Sequence, residues 1–222
     1  MRMIVYDNWG MIEYALAWQK QKELFDARII AKNGINGLND IAIFCEHPHV
    51  FTLGKSGVEE NLLVSNQILK DKGVVFFKTD RGGDITYHGP GQIVVYPIFD
   101  LEHFNIGLRQ YIYHIEEAVI LFLSEFGVKG ERLNGATGVW IDATVPAKTR
   151  KICAIGVRSS RFVTMHGLAL NINTDLYYYS LINPCGFTDK GVASLEKETG
   201  KQQDLEYCRK LLFEKILQVF NH

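Results

Sequence analysis

The chain has 222 residues, of which 47% are hydrophobic and 12% aromatic, and it can bury a substantial core in one domain covering residues 1–222. Its 24 basic and 25 acidic residues give a formal net charge of −1, which excludes a global field that draws it to nucleic acid or to an anionic membrane. No apolar run resembles a signal peptide or approaches the roughly 20 residues that span a bilayer. We therefore expect a soluble, cytoplasmic protein with no nucleic-acid or membrane partner.

Helical and strand-like patterns alternate along the chain without a linker, a low-complexity run or an internal repeat. Apolar stripes predict helices at Met11, Tyr14, Ala15, Trp18 and Phe25, at Leu108, Tyr111, Ile115, Val119, Phe122 and Phe126, and at Leu205, Cys208, Leu212, Ile216 and Val219. Strands are predicted at residues 41–45, 50–53, 74–78, 92–99, 137–142, 152–157 and 167–173. This pattern favours an α/β fold of the α+β type, a mixed β-sheet with helices packed on it.

The segment 81–92 reads Arg-Gly-Gly-Asp-Ile-Thr-Tyr-His-Gly-Pro-Gly-Gln and stands just before a predicted strand. Its glycines can adopt positive φ and let a ligand lie against backbone N–H groups, while Arg81 and His88 offer directed polar contacts. A tight hairpin connection would explain the same composition equally well.

Lys151 and Cys185 lie in short segments on either side of a predicted strand, Lys-Ile-Cys-Ala-Ile-Gly from Lys151 and Asn-Pro-Cys-Gly from Asn183. A cysteine is largely protonated at neutral pH, so covalent chemistry needs a nearby cation or base, and a desolvated lysine serves both purposes. The pair indicates acyl transfer. Taken alone, however, Cys185 would be a turn residue and Lys151 an ordinary lysine at a strand edge.

Four blocks in order make the pattern specific: Arg-Gly-Gly-x-x-Thr-Tyr-His-Gly-Pro-Gly-Gln from Arg81, Lys-Ile-x-x-Ile-Gly from Lys151, His-Gly-x-Ala-Leu-Asn from His166 and Asn-Pro-Cys-Gly from Asn183. Together they resemble the lipoyl(octanoyl) transferase family, which loads protein lipoyl domains. The resemblance implies a fold similar to the catalytic domain of biotin and lipoate protein ligases. It also implies that octanoyl acyl carrier protein is the donor.

The implied acceptor is a lysine of apo lipoyl-domain proteins, such as 2-oxoacid dehydrogenase subunits and the glycine cleavage H protein. By the same resemblance, Cys185 matches the acyl-accepting cysteine and Lys151 the lysine that activates it. The segments that wrap the acyl chain correspond to Arg81, Gly82, Gly83, Asp84, Ile85, Thr86, Tyr87, His88, Ala154, Ile155, Gly156, Gly167, Leu168 and Ala169. Because the donor is already a thioester, we expect neither ATP nor another cofactor. We expect a monomer, since no long apolar stripe is left over once the helices are packed.

Three alternatives remain open at this point. An ATP-dependent lipoate or biotin protein ligase shares the implied fold but activates a free acid as an acyl adenylate and needs no nucleophilic cysteine. A cysteine hydrolase using His88 or His166 as its base would release octanoate. A binding module would hold acylated carrier proteins without turnover.

The other cysteines and histidines have simpler explanations. Cys45, Cys153 and Cys208 are predicted to be reduced core thiols, because the sequence contains no Cys-x-x-Cys pair. His47 and His49 alternate with Cys45 along one extended segment and could present soft ligands on one strand face. Pro48 and the lack of a fourth ligand argue against a metal, and we expect none.

Lys148, Arg150, Arg158 and Arg161 surround Lys151 in the sequence, and the first two belong to an unusually long predicted loop, Ala143–Arg150, that precedes Lys151. A solvated strand edge explains such a group of charges. The alternative is a landing site for an acidic carrier protein, where electrostatic steering would raise the association rate.

Overall fold

A computed structural model of the chain describes residues 3–32, 38–183 and 190–221. The helices are α1 (Tyr14–Ala31), α2 (Asn66–Asp71), α3 (Leu108–Ser124), α4 (Leu195–Thr199) and α5 (Leu205–Phe220). The strands are β1 (Ile4–Met11), β2 (Asp40–Glu46), β3 (Val50–Leu53), β4 (Val75–Lys78), β5 (Ile85–His88), β6 (Gln92–Ile98), β7 (Glu131–Leu133), β8 (Ala136–Ile141), β9 (Arg150–Ser160), β10 (Val163–Asn171) and β11 (Gly191–Val192). Short 3₁₀ turns occupy Glu59–Asn61, Leu101–Phe104 and Leu176–Leu181.

Within the described residues the strands form two sheets. The larger sheet has the order β1-β2-β6-β10-β9-β8-β7, with β11 added in parallel beside the start of β9, and the smaller has the order β4-β3-β5. Both sheets mix parallel and antiparallel pairs. The predicted mixed α/β architecture is therefore confirmed.

Alternation along the central strands divides the core between the two faces of the large sheet. Ile93 and Val95 of β6 face the cluster beneath α3 and α5, while Val94 and Tyr96 of the same strand face the cluster beneath α1. A period of two residues along a strand produces this division. The large sheet is consequently covered by helices on both faces.

The predicted stripes of α3 and α5 are largely buried, except that Leu108 is exposed and Phe126, Leu205 and Val219 are half-buried. Tyr111, Ile115, Val119 and Phe122 of α3 have no exposed surface, and Leu212 of α5 is equally buried. The first stripe differs, because Met11 belongs to β1 and Ala15 is exposed. The buried side of α1 instead carries Tyr14, Ala17, Gln21, Phe25 and Arg28.

The glycine-rich segment does not form a hairpin. Residues Ile85–His88 form β5, which pairs antiparallel with β3 in the small sheet, whereas Gln92 begins β6 in the large sheet. The Gly-Pro-Gly turn between β5 and β6 therefore passes the chain from one sheet to the other.

A buried ion pair fixes the end of α1 to the start of β2. Arg28 Nη1 lies 2.9 Å from Asp40 Oδ1, and both side chains are at most 3% exposed. Asp40 also accepts a hydrogen bond from the backbone N–H of Asp100 at 2.7 Å and lies 2.8 Å from His103 Nδ1. One carboxylate thus joins α1, β2 and the segment after β6.

We predict that Arg28→Met lowers the free energy of unfolding by roughly 3 kcal/mol, because it leaves the buried Asp40 carboxylate without its guanidinium partner. Urea unfolding followed by circular dichroism measures the change. Lys78→Met, at the exposed ion pair between Lys78 and Glu59, is the matched control and should change stability by less than about 1 kcal/mol. Equal losses of unfolding free energy in the two variants would contradict the larger contribution expected of the buried Arg28–Asp40 pair.

Candidate active site

A cavity of about 270 Å³ with a mainly apolar lining lies between the two sheets. Its walls come from β5 and the loop before it, from β6, β8, β9, β10 and α1, and from the chain around β11. Among the predicted site residues, those that line it are Arg81, Gly83, Asp84, Ile85, Thr86, His88, Lys151, Ala154, Ile155, Gly156, Gly167, Leu168 and Ala169. Segments far apart in the sequence are therefore brought to one cavity.

Small residues of β9 and β10 form the floor of the cavity. In the antiparallel register Ala154 lies opposite Ala169, and Gly156 lies opposite Gly167. Val94 of β6 is the partner of Ala169 on the other side. Because these side chains are short, the face of the sheet is left open for a ligand.

The loop from Arg81 to Asp84 closes over this floor and is clamped on both sides. Gly82 donates its N–H to the carbonyl oxygen of Val157 at 2.9 Å. A Cβ at Gly156 would lie 2.8 Å from the Gly82 oxygen, so only glycine permits this approach. From the other side, Lys55 and Ser56 donate their N–H groups to the carbonyl oxygens of Arg81 and Gly83 at 3.0 and 3.1 Å.

Arg81 holds the loop together from within. Its Nη2 donates to the carbonyl oxygens of Thr52 at 2.5 Å and Asp84 at 2.7 Å, and its Nη1 donates to that of Gly82 at 2.9 Å. Asp84 in turn accepts hydrogen bonds from Asn61 Nδ2 and from the N–H of Ile85, both at 2.6 Å. The polar contacts expected of Arg81 are therefore made to its own loop and to β3.

Gly82 and Tyr87 were predicted to touch the ligand but do not line the cavity. The Gly82 backbone is hydrogen-bonded to the carbonyl oxygen of Val157 in β9. Tyr87 alternates with Thr86 and His88 along β5, so its ring lies in the core of the small sheet, where its hydroxyl is 2.7 Å from His49 Nδ1. The segment that the resemblance indicates borders the cavity, but strand alternation turns this side chain away.

The two histidines proposed as bases are buried. His88 Nδ1 lies 2.8 Å from Gln92 Oε1 and its Nε2 lies 3.4 Å from Thr52 Oγ1. Burial, reinforced by the neighbouring His47, lowers the pKa of His88 to about 3. Burial also lowers the pKa of His166, whose Nε2 lies 2.7 Å from Asp80 Oδ1. Both imidazoles are therefore neutral at physiological pH.

Lys151 lies at the end of the cavity formed by β8 and β11. It is the register partner of Trp140 in β8 and of Val192 in β11. Its Nζ is 4.5 Å from the centroid of the Trp140 ring. Lys190, the first described residue before β11, lines the same cavity. Cys185 lies among residues 184–189, outside the described residues.

Cys45, Cys153 and Cys208 are buried, and burial raises the pKa of each thiol, for Cys208 to about 11. His47 lies beside Cys45 as expected, with its Nε2 3.6 Å from Cys45 Sγ, but His49 does not share their face. His47 Nε2 lies 2.7 Å from the hydroxyl of Tyr96 in the large sheet, whereas His49 stacks on Tyr178 beside the small sheet. The chain passes from one sheet to the other between them.

The predicted basic cluster is divided. Arg150 and Arg158 lie eight residues apart on β9, about 26 Å along the strand. Arg150 is paired with Asp142 and Glu198, and Arg158 with Asp80. Carboxylates balance the charges of these two arginines, which lie at opposite ends of β9, and a landing site for a carrier protein stays a prediction.

Several cavity residues escaped the sequence analysis. Tyr14 was assigned to a helical apolar stripe, Tyr96 lay inside a predicted strand, and Asn171 stood unnoticed inside a recognised block. Trp140 was visible only as part of a predicted strand. The signal for Trp140 would have been its cross-strand pairing with Lys151, which no local pattern contains.

Known proteins share both the sequence and the fold. Residues 13–217 match the family described as lipoyl protein ligase A/B catalytic domain. An octanoyltransferase of Parabacteroides distasonis is 55% identical over 220 residues, covering 99% of this chain and 100% of that protein. An octanoyltransferase of Cytophaga hutchinsonii is 44% identical over 227 residues, covering 99% and 93%. No helix in the described ranges is long and apolar enough to cross a membrane.

Solved structures confirm the predicted fold. A putative lipoate protein ligase from T. acidophilum superposes with a TM-score of 0.70 at 16% identity, covering 100% of this chain and 86% of that one. A biotin protein ligase from Aquifex aeolicus in complex with biotin and ATP gives a TM-score of 0.57 at 12% identity, covering 100% and 71%. The matched motifs, the similarity to relatives over nearly the full length of the chain and the shared fold together show that this chain belongs to the lipoyl protein ligase A/B catalytic domain family.

Proposed function

We propose that this chain is an octanoyltransferase. It moves an octanoyl or lipoyl group from acyl carrier protein, through a thioester on Cys185, to a lysine of an apo lipoyl domain. The observation that carries the proposal is the convergence of Lys151 and the predicted acyl-binding segments on one apolar cavity. The relatives named octanoyltransferase support a transferase acting on an octanoyl group.

The cavity suits a straight saturated chain. Its floor is built from alanine and glycine pairs, and Val94, Tyr96 and Trp140 also line it. Burying a methylene group is worth about 0.8 kcal/mol, so an eight-carbon chain gains about 5 kcal/mol from the hydrophobic effect. The polar groups of Arg81 and Asp84 are occupied by protein partners and do not need to be desolvated by the ligand.

The described residues flanking Cys185 support its assignment as the nucleophile. Lys190 lines the cavity, and Val192 pairs with Lys151 two residues later. On the other side, the N–H of Asn183 donates to the carbonyl oxygen of Asn61 at 2.7 Å, and the Asn61 side chain binds Asp84 on the cavity wall. The chain thus leaves and re-enters the described structure beside the cavity.

The first half-reaction exchanges one thioester for another. The Cys185 thiolate attacks the donor carbonyl carbon, the new C–Sγ bond forms, and the bond to the donor sulfur breaks. The Lys151 ammonium favours the thiolate and gives its proton to the departing thiolate. The donor leaves as a free thiol, and Lys151 is left neutral beside the acyl-enzyme.

The second half-reaction transfers the acyl group to nitrogen. The neutral amine of the acceptor lysine attacks the acyl carbon, the C–N bond forms, and the C–Sγ bond breaks. Lys151 takes the proton that the amine loses, which restores the ammonium and thiolate pair. Because an amide is more stable than a thioester, the donor supplies the driving force and the proposed reaction consumes no ATP.

Arg81 gives a reason to prefer this mechanism to that of a ligase. A ligase must bind the phosphates of ATP, and guanidinium groups are common ligands for phosphate. Arg81 is only 7% exposed, and its guanidinium donates to Thr52, Gly82 and Asp84. Binding a phosphate there would require breaking the hydrogen bonds that hold the loop.

The hydrolase alternative is disfavoured by the position of His166 and by the lowered pKa of His88. His166 is the register partner of Val157, which lies six residues along β9 from Lys151, or about 20 Å. His88 engages both ring nitrogens, and its lowered pKa makes it a weak base. Neither imidazole is placed to assist chemistry at the Lys151 end of the cavity.

We predict that brief incubation with octanoyl acyl carrier protein, without ATP, adds one octanoyl group to the protein. Intact-mass spectrometry detects the adduct, hydroxylamine should remove it because it is a thioester, and Cys185→Ala should not form it. Cys153→Ala, which removes a buried thiol, is the control and should keep the adduct. Acceptor modification only when ATP and free octanoate are supplied would instead identify a ligase, and accumulation of free octanoate a hydrolase.

We further predict that Lys151→Met slows formation of the octanoyl adduct by about 100-fold or more, because it removes the group that favours the thiolate and moves the protons. Rapid-quench mass spectrometry gives the rate. Lys148→Met removes an exposed lysine three residues earlier and should leave the rate unchanged. Full activity of the Lys151 variant would refute the proposed dyad.

A further inference from the structure

Trp140 and Lys151 form a cross-strand pair at the cavity end where the chemistry is proposed. They are register partners in β8 and β9, and both line the cavity. The Lys151 Nζ is 4.5 Å from the centroid of the indole ring, within the range of a cation–π contact. The lysine ammonium is therefore held against an aromatic face.

The ring is fixed in place. Trp140 is only 1% exposed, and its Nε1–H donates to the carbonyl oxygen of Ala136 in the same strand at 2.9 Å. Because both the ring body and its polar edge are held, the indole presents a constant face to the ammonium.

The absence of a side chain at Gly138 leaves room for the side chain of Lys151. Its φ of 122° lies in the region that favours glycine, and a Cβ there would be 2.5 Å from the carbonyl oxygen of Cys153. That Cβ would also lie 3.5 and 3.6 Å from Cε and Cδ of Lys151, so the lysine stem runs directly past Gly138. The strand is anchored to α3 because Gly138 donates its N–H to Glu116 Oε1 at 3.0 Å.

We propose that Trp140 is a positioning residue for the transfer reaction, whose indole face holds the Lys151 ammonium in the orientation that serves the catalytic thiol. This inference rests on the proposed function of Lys151. The neighbouring Glu116 carboxylate accepts from Gly138 N–H and from Arg132 Nε at 3.1 Å. A ring face attracts a cation without accepting a conventional hydrogen bond from it, so the contact with Trp140 itself uses none of the ammonium N–H donors.

The test compares Trp140→Leu, Trp140→Phe and Lys151→Met in two assays. The first is the rate at which iodoacetamide alkylates Cys185 at neutral pH, read by peptide mass spectrometry, because it reports the thiolate without any acyl substrate. The second is kcat and KM with octanoyl acyl carrier protein. We expect Trp140→Leu to lower the alkylation rate and kcat about tenfold. Trp140→Phe, which keeps an aromatic face, should remain within about threefold.

If Trp140→Leu does not fold, a protein that contains fluorinated tryptophan provides a second test of the ring face. Tetrafluorotryptophan in place of Trp9, Trp18 and Trp140 weakens the negative ring face while nearly preserving its shape. Alkylation of Cys185 should slow several-fold in this protein. The matched control is Trp140→Phe with fluorinated Trp9 and Trp18, which should alkylate at the rate of unlabelled Trp140→Phe.

The outcomes separate this inference from the proposed function. If Lys151→Met slows alkylation but neither ring loss nor fluorination does, the positioning role is wrong and the dyad stands. A raised KM with unchanged alkylation would reduce Trp140 to a wall of the acyl cavity and also overturn the inference. If Lys151→Met has no effect and no octanoyl adduct forms, the proposed function itself fails and this inference falls with it.

Discussion

The antiparallel pairing of β9 with β10 is the constraint on which the cavity depends. It sets Ala154 opposite Ala169 and Gly156 opposite Gly167, so that four short residues form one open surface. A shift of one residue in register would turn the larger Ile155 or Leu168 to this face and fill the space. The same strand carries Lys151 at its start, where pairing with β8 and β11 places the amine at the end of the cavity.

Polar groups around the cavity are used mainly to hold the protein together. The Arg81 guanidinium ties the closing loop to Thr52, and Asp84 joins that loop to Asn61. His88 is neutral and bound to Gln92. A ligand that enters between these elements therefore meets mainly carbon and polar atoms that are already hydrogen-bonded, which is the environment that an acyl chain requires.

Lipoate and biotin protein ligases share this fold at low sequence identity, so the fold does not decide between acyl transfer and acid activation. The distinction lies in individual side chains. The Trp140 ring attracts the Lys151 ammonium at one end of the cavity, whereas the Arg81 guanidinium is hydrogen-bonded within the closing loop. Cys185, predicted from the sequence, completes the proposed chemistry, and its assignment stays a prediction because it lies outside the described residues.

The sequence by itself determined the family, the long helices α3 and α5, and the segments that converge on the cavity. These features are encoded locally, in the periodicity of buried residues and in contiguous motifs. Tertiary structure alone decided the second sheet, which turned a supposed hairpin into the crossing between β5 and β6. It also turned Tyr87 away from the cavity, separated Arg150 from Arg158 and set Trp140 against Lys151. Strand pairing and register join residues that are distant in sequence, and a single sequence contains no local signal for either.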